Sequence, residues 1–344
     1  MNVSDFDYEL PQELIAQTPA EKRDASRLLV IHRDTGELEH KTFHDILSYF
    51  RSGDCLVLND SKVIPARLYG RKKDTGANVE FLLSRRLHND TWETLVRPGR
   101  RVRPGDTMAF GPSGELEATV SDYGKEGTRL VEFSYQGDFM EKLEAIGKIP
   151  LPPYIERDTT PEDTVRYQTV YCQAEGSVAA PTAGLHFTPE LLAAAAEKGI
   201  QIARLTLHVG IGTFRPVKCE RVEEHVMHFE DYVVSPAAAE LINRTKAAGG
   251  RIISVGTTAC RTMESATDEA GILQPGAGST GIFIYPGHKF KMVDSMITNF
   301  HLPKSTLLML VSALYDRESM LRAYETAVRE KYRFFSYGDA TLIL

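Results

Sequence analysis

The feature that most constrains the architecture of this chain is a change of pattern partway along it. From about residue 65 to residue 147 the sequence reads as short strands separated by turns. Residues 78–83, 91–96, 116–120 and 128–133 are the clearest strands, and Asp74-Thr-Gly76, Gly111-Pro-Ser-Gly114 and Asp122-Tyr-Gly124 punctuate them. Closely spaced strands and turns predict a small antiparallel barrel.

The flanking text alternates helix and strand instead. Thr188-Pro-Glu190 caps an alanine-rich helix that Gly199 ends, and a strand over 200–209 follows. Ser235-Pro236 caps a second helix that stops at Gly249-Gly250, and a strand over 251–255 follows it. Helices are expected near 306–315 and 318–332, and a last strand over 341–344. Such repetition marks a layered α/β structure. Residues 28–32 and 55–58 place strands in the N-terminal segment as well. The expected organisation is therefore an α/β body, residues 1–66 and 149–344, with a barrel over 67–148 inserted into it.

At 344 residues, with 42% hydrophobic and 25% charged side chains, the chain can bury a full core and is not expected to be disordered. Cys55, Cys172, Cys219 and Cys260 are far apart and form no Cys-x-x-Cys pair, which argues against a disulfide framework. The N-terminus has neither a basic nor an apolar signal region. The longest apolar run, residues 307–314, is far short of the ~20 residues a spanning helix needs. A cytoplasmic location is expected. The net charge of -7 excludes a protein coated in positive charge, but not a local basic surface.

Four segments hold more polar and glycine residues than packing requires. Leu58-Asn-Asp-Ser-Lys62 follows an apolar strand and sets Asn59, Asp60, Ser61 and Lys62 at one sheet end, where ligands of α/β folds commonly sit. Residues 176–188 include Thr182, Ala183, Gly184 and His186, with small residues that let backbone approach a ligand and a helix N-terminus that favours negative charge. His208-Val-Gly-Ile-Gly-Thr213 suggests a dinucleotide loop. The third glycine of that fingerprint would fall at Arg215, so the motif fails, but Thr213 and Arg215 can still line a pocket. Thr298-Asn-Phe-His-Leu-Pro-Lys-Ser305 puts Asn299, His301 and Lys304 before a helix that Ser305 caps.

Six of the ten histidines lie between His186 and His301, and His225 and His228 have the spacing to share a helix face. No acidic or cysteine partner stands at a recognised ligand spacing, so no metal is expected. Arg97, Arg100, Arg101 and Arg103 cluster in the barrel segment, with residues 71–73 and 85–86 nearby. Most charge runs are solvated faces, but in an acidic chain this cluster is a candidate for holding RNA phosphates.

Taken together, Asp5-Phe-Asp-Tyr-Glu-Leu-Pro11, Arg23-Asp-Ala-Ser-Arg-Leu-Leu29, Leu58-Asn-Asp-Ser-Lys-Val-Ile-Pro-Ala-Arg67, Ala179-Ala-Pro-Thr-Ala-Gly-Leu-His-Phe-Thr188 and Thr298-Asn-Phe-His-Leu-Pro-Lys-Ser305 resemble the S-adenosylmethionine:tRNA ribosyltransferase-isomerase family of queuosine biosynthesis. The resemblance runs from Asp5 to Tyr337-Gly-Asp-Ala340 in unbroken order. It implies an α/β body with an inserted barrel, and a tRNA substrate carrying 7-aminomethyl-7-deazaguanine. S-adenosylmethionine is implied as a co-substrate that donates its ribosyl part, with no resident cofactor. The implied products are epoxyqueuosine in tRNA, adenine and methionine. A monomer is expected.

That chemistry needs a base for the carbon beside the sulfonium, a donor at the departing adenine and a neutral attacking amine. His186, His208, His301 and Lys62 are the candidates for proton transfer. Asn59, Asp60, Ser61, Thr182, Ala183, Gly184, Thr213, Asn299 and Lys304 are the candidates for holding the donor. A conventional methyltransferase would show a glycine-rich nucleotide loop after an early strand, and none is found. A non-catalytic RNA binder would explain the arginines but not the polar segments of the body.

Overall fold

The structure, a computed structural model, describes residues 1–210, 212 and 217–344. Its body is a nine-stranded mixed sheet. Edge to edge the strands are Gly276–Thr280, Glu230–Val234, Gln201–Leu207, Cys55–Asn59, Ile252–Val255, Ser295–Asn299, Ala340–Ile343, Arg27–Ile31 and Leu38–Thr42. The four from Gln201–Leu207 to Ser295–Asn299 are mutually parallel, and Ala340–Ile343 runs against them.

Side chains alternate across a strand, so each central strand feeds two cores. Leu29, Val57, Leu205 and Met296 face a core shared with the helices Pro236–Ala247, Thr257–Ala266, Thr306–Leu314 and Arg317–Arg329. Leu28, Leu56, Leu58 and Ile297 face a second core with the helix Pro189–Glu197 and the 3-10 turns of Phe43–Tyr49. The result is three layers. No helix among the described residues is long and apolar enough to cross a membrane.

Leaving the sheet at Asn59, the chain forms the short strand Ser61–Val63 and enters a closed six-stranded barrel, in order Arg129–Ser134, Thr91–Arg97, Asn78–His88, Arg67–Lys72, Thr107–Phe110 and Leu116–Tyr123. Every pairing is antiparallel. Phe81, Phe110 and Phe133 fill the interior, and the helix Phe139–Ile146 closes one end by stacking Phe139 on Trp92. Gly70 is required here, because a Cβ would lie 2.4 Å from the Phe110 ring. The chain returns to the body where Lys148 bridges Arg67.

Several sequence expectations need adjustment. The strand expected over 78–83 extends to His88, and the helix expected over 318–332 spans Arg317–Arg329. The helix Thr257–Ala266 was not anticipated. Its Arg261 and Glu264 are buried, so it lacks the polar face that gives a surface helix its period. Arg261 pairs with Glu230, and Glu264 accepts from the amides of Lys291, Met292 and Val293. His225 and His228 share no helix face; they follow the 3-10 turn Val222–Glu224 in irregular chain.

Candidate active site

The parallel strands end together at Leu207, Asn59, Val255 and Asn299, and the oppositely directed Ala340–Ile343 begins beside Asn299. Ligands of open α/β sheets bind at such carboxyl ends. A pocket lies there. Its lining includes Thr182, Ala183, Gly256, Thr257, Thr258, Thr298, Asn299, His301, Tyr154, Tyr167 and Phe335. The sequence segments 179–188 and 298–305 therefore meet, and among the described residues none of the lining side chains is Lys, Arg, Asp or Glu.

Asn299 is the best-defined polar group in this pocket. Its Nδ2 donates to the Phe335 carbonyl at 3.0 Å and to His186 Nε2 at 3.1 Å. A carbonyl can only accept, so the amide orientation is set and His186 Nε2 carries no proton. His186 Nδ1 then donates to Ser26 Oγ at 2.7 Å. Asn299 Oδ1 is buried and has no partner among the described residues. Burial, followed by the charges of Arg333 and Arg23, pushes His186 down to about 3, so its ring is neutral.

Phe335 has φ +71, a left-handed backbone that is uncommon for an aromatic residue. The turn is fixed by Gly338, whose amide also donates to the Phe335 carbonyl, and by Asp339, which accepts from the Arg333 and Arg27 amides. This geometry aims the Phe335 carbonyl at Asn299 and packs its ring on Tyr154, centroids 4.7 Å apart. His301 also lines the pocket. Its Nε2 lies 3.0 Å from Thr298 Oγ1, and burial lowers it to about 3.

The first polar segment is spent largely within the protein. Asn59 is fully buried; its Oδ1 accepts from Ser61 and Leu207 amides and its Nδ2 donates to Leu207 O and Thr258 Oγ1. It touches the pocket through Thr258. Asp60 accepts from Thr206 Oγ1 at 2.7 Å. Lys62 pairs with Glu175 at 2.8 Å on the surface and does not line the pocket. Gly184 is buried against Tyr171, whose hydroxyl would sit 2.0 Å from an added Cβ. Lys304, half-exposed, pairs with Asp7 at 2.7 Å. Thr213 and Arg215 lie outside the described residues.

His208 belongs to a second concavity, a cleft of about 580 Å³ between barrel and body, lined also by Arg85, Trp92, Thr128, Gly176 and Asp231. Ser61 Oγ donates to Ser177 Oγ at 2.8 Å, so His208 Nδ1, 3.0 Å away, donates to Ser61 and leaves Nε2 as an acceptor. Gly176 (φ +144) admits the imidazole, since a Cβ there would meet it at 2.9 Å. Burial lowers the His208 pKa against the opposing pull of Asp231 and Asp60. His208 faces the cleft while its neighbour Val209 lines the pocket, so one short segment separates the two spaces.

Arg97, Arg100, Arg101 and Arg103 are exposed, and none lies within ion-pair distance of a carboxylate among the described residues. Arg85 and Arg86, by contrast, pair with Asp231 and Asp90. Buried Arg129 ties the arginine loop down through the carbonyls of Gly99 and Val102, and grips Gly127 and Thr128 at the cleft rim. Sequence reasoning missed Gly256, Thr257 and Thr258. The signal for them was a strand, residues 251–255, running into glycine and two threonines.

With this geometry in place, the relatives can be compared. Residues 3–343 match the family model described as Queuosine biosynthesis protein. The chain is 58% identical over 343 residues to the S-adenosylmethionine:tRNA ribosyltransferase-isomerase of Acetivibrio thermocellus, and 56% identical over 344 residues to that of Desulforamulus reducens; each comparison covers 100% of both chains. A crystal structure of S-adenosylmethionine tRNA ribosyltransferase from Thermotoga maritima is 41% identical, with TM-score 0.56, over 99% of this chain and 100% of that one.

Proposed function

This chain belongs to the queuosine biosynthesis protein family, and on that premise we propose that it transfers and isomerises the ribosyl part of S-adenosylmethionine onto 7-aminomethyl-7-deazaguanine in tRNA. The product is epoxyqueuosine in tRNA, and adenine and methionine leave. The observation that carries the reading is the pocket at the strand ends, walled by Tyr154, Tyr167 and Phe335, provided with Asn299 and His301, and without a charged side chain among its described lining residues. Aromatic walls suit such a donor, since they stack on a flat base and attract a sulfonium cation to their faces. Enclosure also keeps water from the reactive intermediates.

The sulfonium acidifies C5′, so removal of a proton there starts the elimination that expels adenine. His301, neutral in the pocket wall, serves as a hydrogen-bonding group rather than a charge. The acceptor amine must lose a proton to attack. His208, with Nε2 open toward the cleft, is the group placed to take it. The cleft receives the modified nucleotide, and the exposed arginines of the barrel hold neighbouring phosphates.

Incubation with S-adenosylmethionine and tRNA bearing the modified base tests the whole reading. Adenine and methionine in equal amounts are expected. S-adenosylhomocysteine would mark methyl transfer instead, and tRNA binding without turnover would leave only an RNA-binding protein.

A further inference from the structure

The helix Thr257–Ala266 starts at the pocket directly after the central strand Ile252–Val255, through Gly256 at φ +90. Gly256 provides no side-chain cap. The first helical bond is Cys260 N to Gly256 O, and the amides of Thr257, Thr258 and Ala259 have no acceptor among the described residues. The other helix at this pocket, Thr306–Leu314, is capped, because Ser305 Oγ accepts from Leu308 N. Uncapped amides and the helix dipole attract an anion.

A second group points to the same ligand. Asn299, 2% exposed, lies on the neighbouring strand beside this helix start, with Oδ1 unpartnered and Nδ2 turned away to His186 and Phe335. An acceptor next to an anion site fits a ligand that carries a donor next to its anion. Thr258 adds to this, since its Oγ1 accepts from Asn59 and so keeps its own proton free to donate. A phosphate would call for guanidinium or ammonium partners, and the lining has none among the described residues.

We propose that this corner holds the α-amino-carboxylate of the methionine part of S-adenosylmethionine, the carboxylate on the Thr257–Ala259 amides and the ammonium on Asn299 Oδ1. The aromatic wall is left for the adenine. The assignment rests on the donor reading above and adds the direction in which the donor lies.

Amide exchange with saturating S-adenosylmethionine first reports whether the donor sits here. Protection of residues 256–260 and 298–301 is expected; protection elsewhere alone would overturn both the donor reading and this one. Affinities of S-adenosylmethionine, decarboxylated S-adenosylmethionine and 5′-methylthioadenosine are then compared by calorimetry. Loss of the carboxylate should weaken binding about 10- to 100-fold, the range of hydrogen bonds to a charged group. Thr257→Pro removes one amide at a helix position where proline is tolerated. In that variant the preference for S-adenosylmethionine over the decarboxylated analogue should shrink about tenfold. A wild type that binds both equally while residues 256–260 are protected would overturn the orientation and leave the donor pocket standing. An unchanged preference in a folded Thr257→Pro variant would overturn it too.

Discussion

Asn299 and His186 are joined by a hydrogen bond of 3.1 Å in which the histidine is the acceptor. With Ser26 on its other nitrogen, His186 reaches the pocket only through the orientation it gives Asn299. Phe43 stacks on the imidazole with centroids 5.0 Å apart and holds the ring in plane.

His186→Ala should therefore lower turnover about tenfold by freeing the Asn299 amide, on the scale of one neutral hydrogen bond. His186→Gln should recover most of the loss, because a glutamine amide can both accept from Asn299 and donate to Ser26. Steady-state kinetics of the two folded variants decide the role. A glutamine variant as impaired as the alanine one, with the ~10²–10⁴-fold loss typical of a general acid or base, would show that His186 itself moves the proton.

The same burial makes a prediction about acid stability. His186 and His301 are each lowered to about 3 when folded, against about 6.5 in an unfolded chain. Between these values the unfolded state binds more protons, so stability rises with pH. Their contribution is fully present above pH ~6.5 and is lost as pH falls through that range toward 3. Unfolding free energy should drop toward acid with a slope that includes up to two protons from this pair. His301→Gln should flatten the slope by about one proton. An identical slope in the variant would show that His301 is not held neutral.

Much of this was legible in the sequence, for identifiable reasons. The barrel showed in its alternation and turns, and the helix starts at Thr188, Ser235 and Ser305 showed because each cap accepts the hydrogen bond its residue type implies. The meeting of Thr182 with Asn299 and His301 followed from polar segments placed at strand ends. What stayed hidden depends on contacts distant in sequence. Asn59 looks like a ligand group, yet its amide is consumed in binding Ser61, Leu207 and Thr258. A strand running into glycine and two threonines marks the pocket's edge, but the helical pattern of residues 257–266 is hidden, because the ion pair that allows Arg261 to be buried comes from Glu230.

Gly338 offers a stability test of the turn behind the pocket. A Cβ there would lie 2.5 Å from Arg333 O and 2.6 Å from Phe334 C, both backbone atoms that cannot swing aside. Gly338→Ala should destabilise the protein by about 1–3 kcal/mol, the usual scale of forced overpacking. It should also weaken donor binding, since the turn aims the Phe335 carbonyl at Asn299. Denaturant titration with donor affinity measured on the folded fraction checks both. Unchanged stability would mean that the turn relaxes without cost and does not constrain Phe335.

The arginine loop of the barrel gives the remaining prediction. Arg97, Arg100, Arg101 and Arg103 are exposed and have no carboxylate partner among the described residues, whereas Lys72 and Lys73 nearby are matched by Asp106 and Glu117. Unmatched guanidinium groups on a loop anchored by Arg129 suit a partner that brings its own negative charge, and their planar forks bind phosphate in two places at once. Each phosphate neutralised releases counterions, so tRNA affinity should fall as salt rises. Arg100→Gln with Arg101→Gln should weaken tRNA binding and reduce the slope of log affinity against log salt by roughly one for each phosphate that is no longer neutralised. Donor affinity should be unchanged, because the pocket lies among the strand ends of the body. Arg129→Met should weaken tRNA binding as well, though it removes no exposed charge, because the loop loses its two anchors at the Gly99 and Val102 carbonyls. An unaltered slope in the double variant would show that the RNA docks elsewhere.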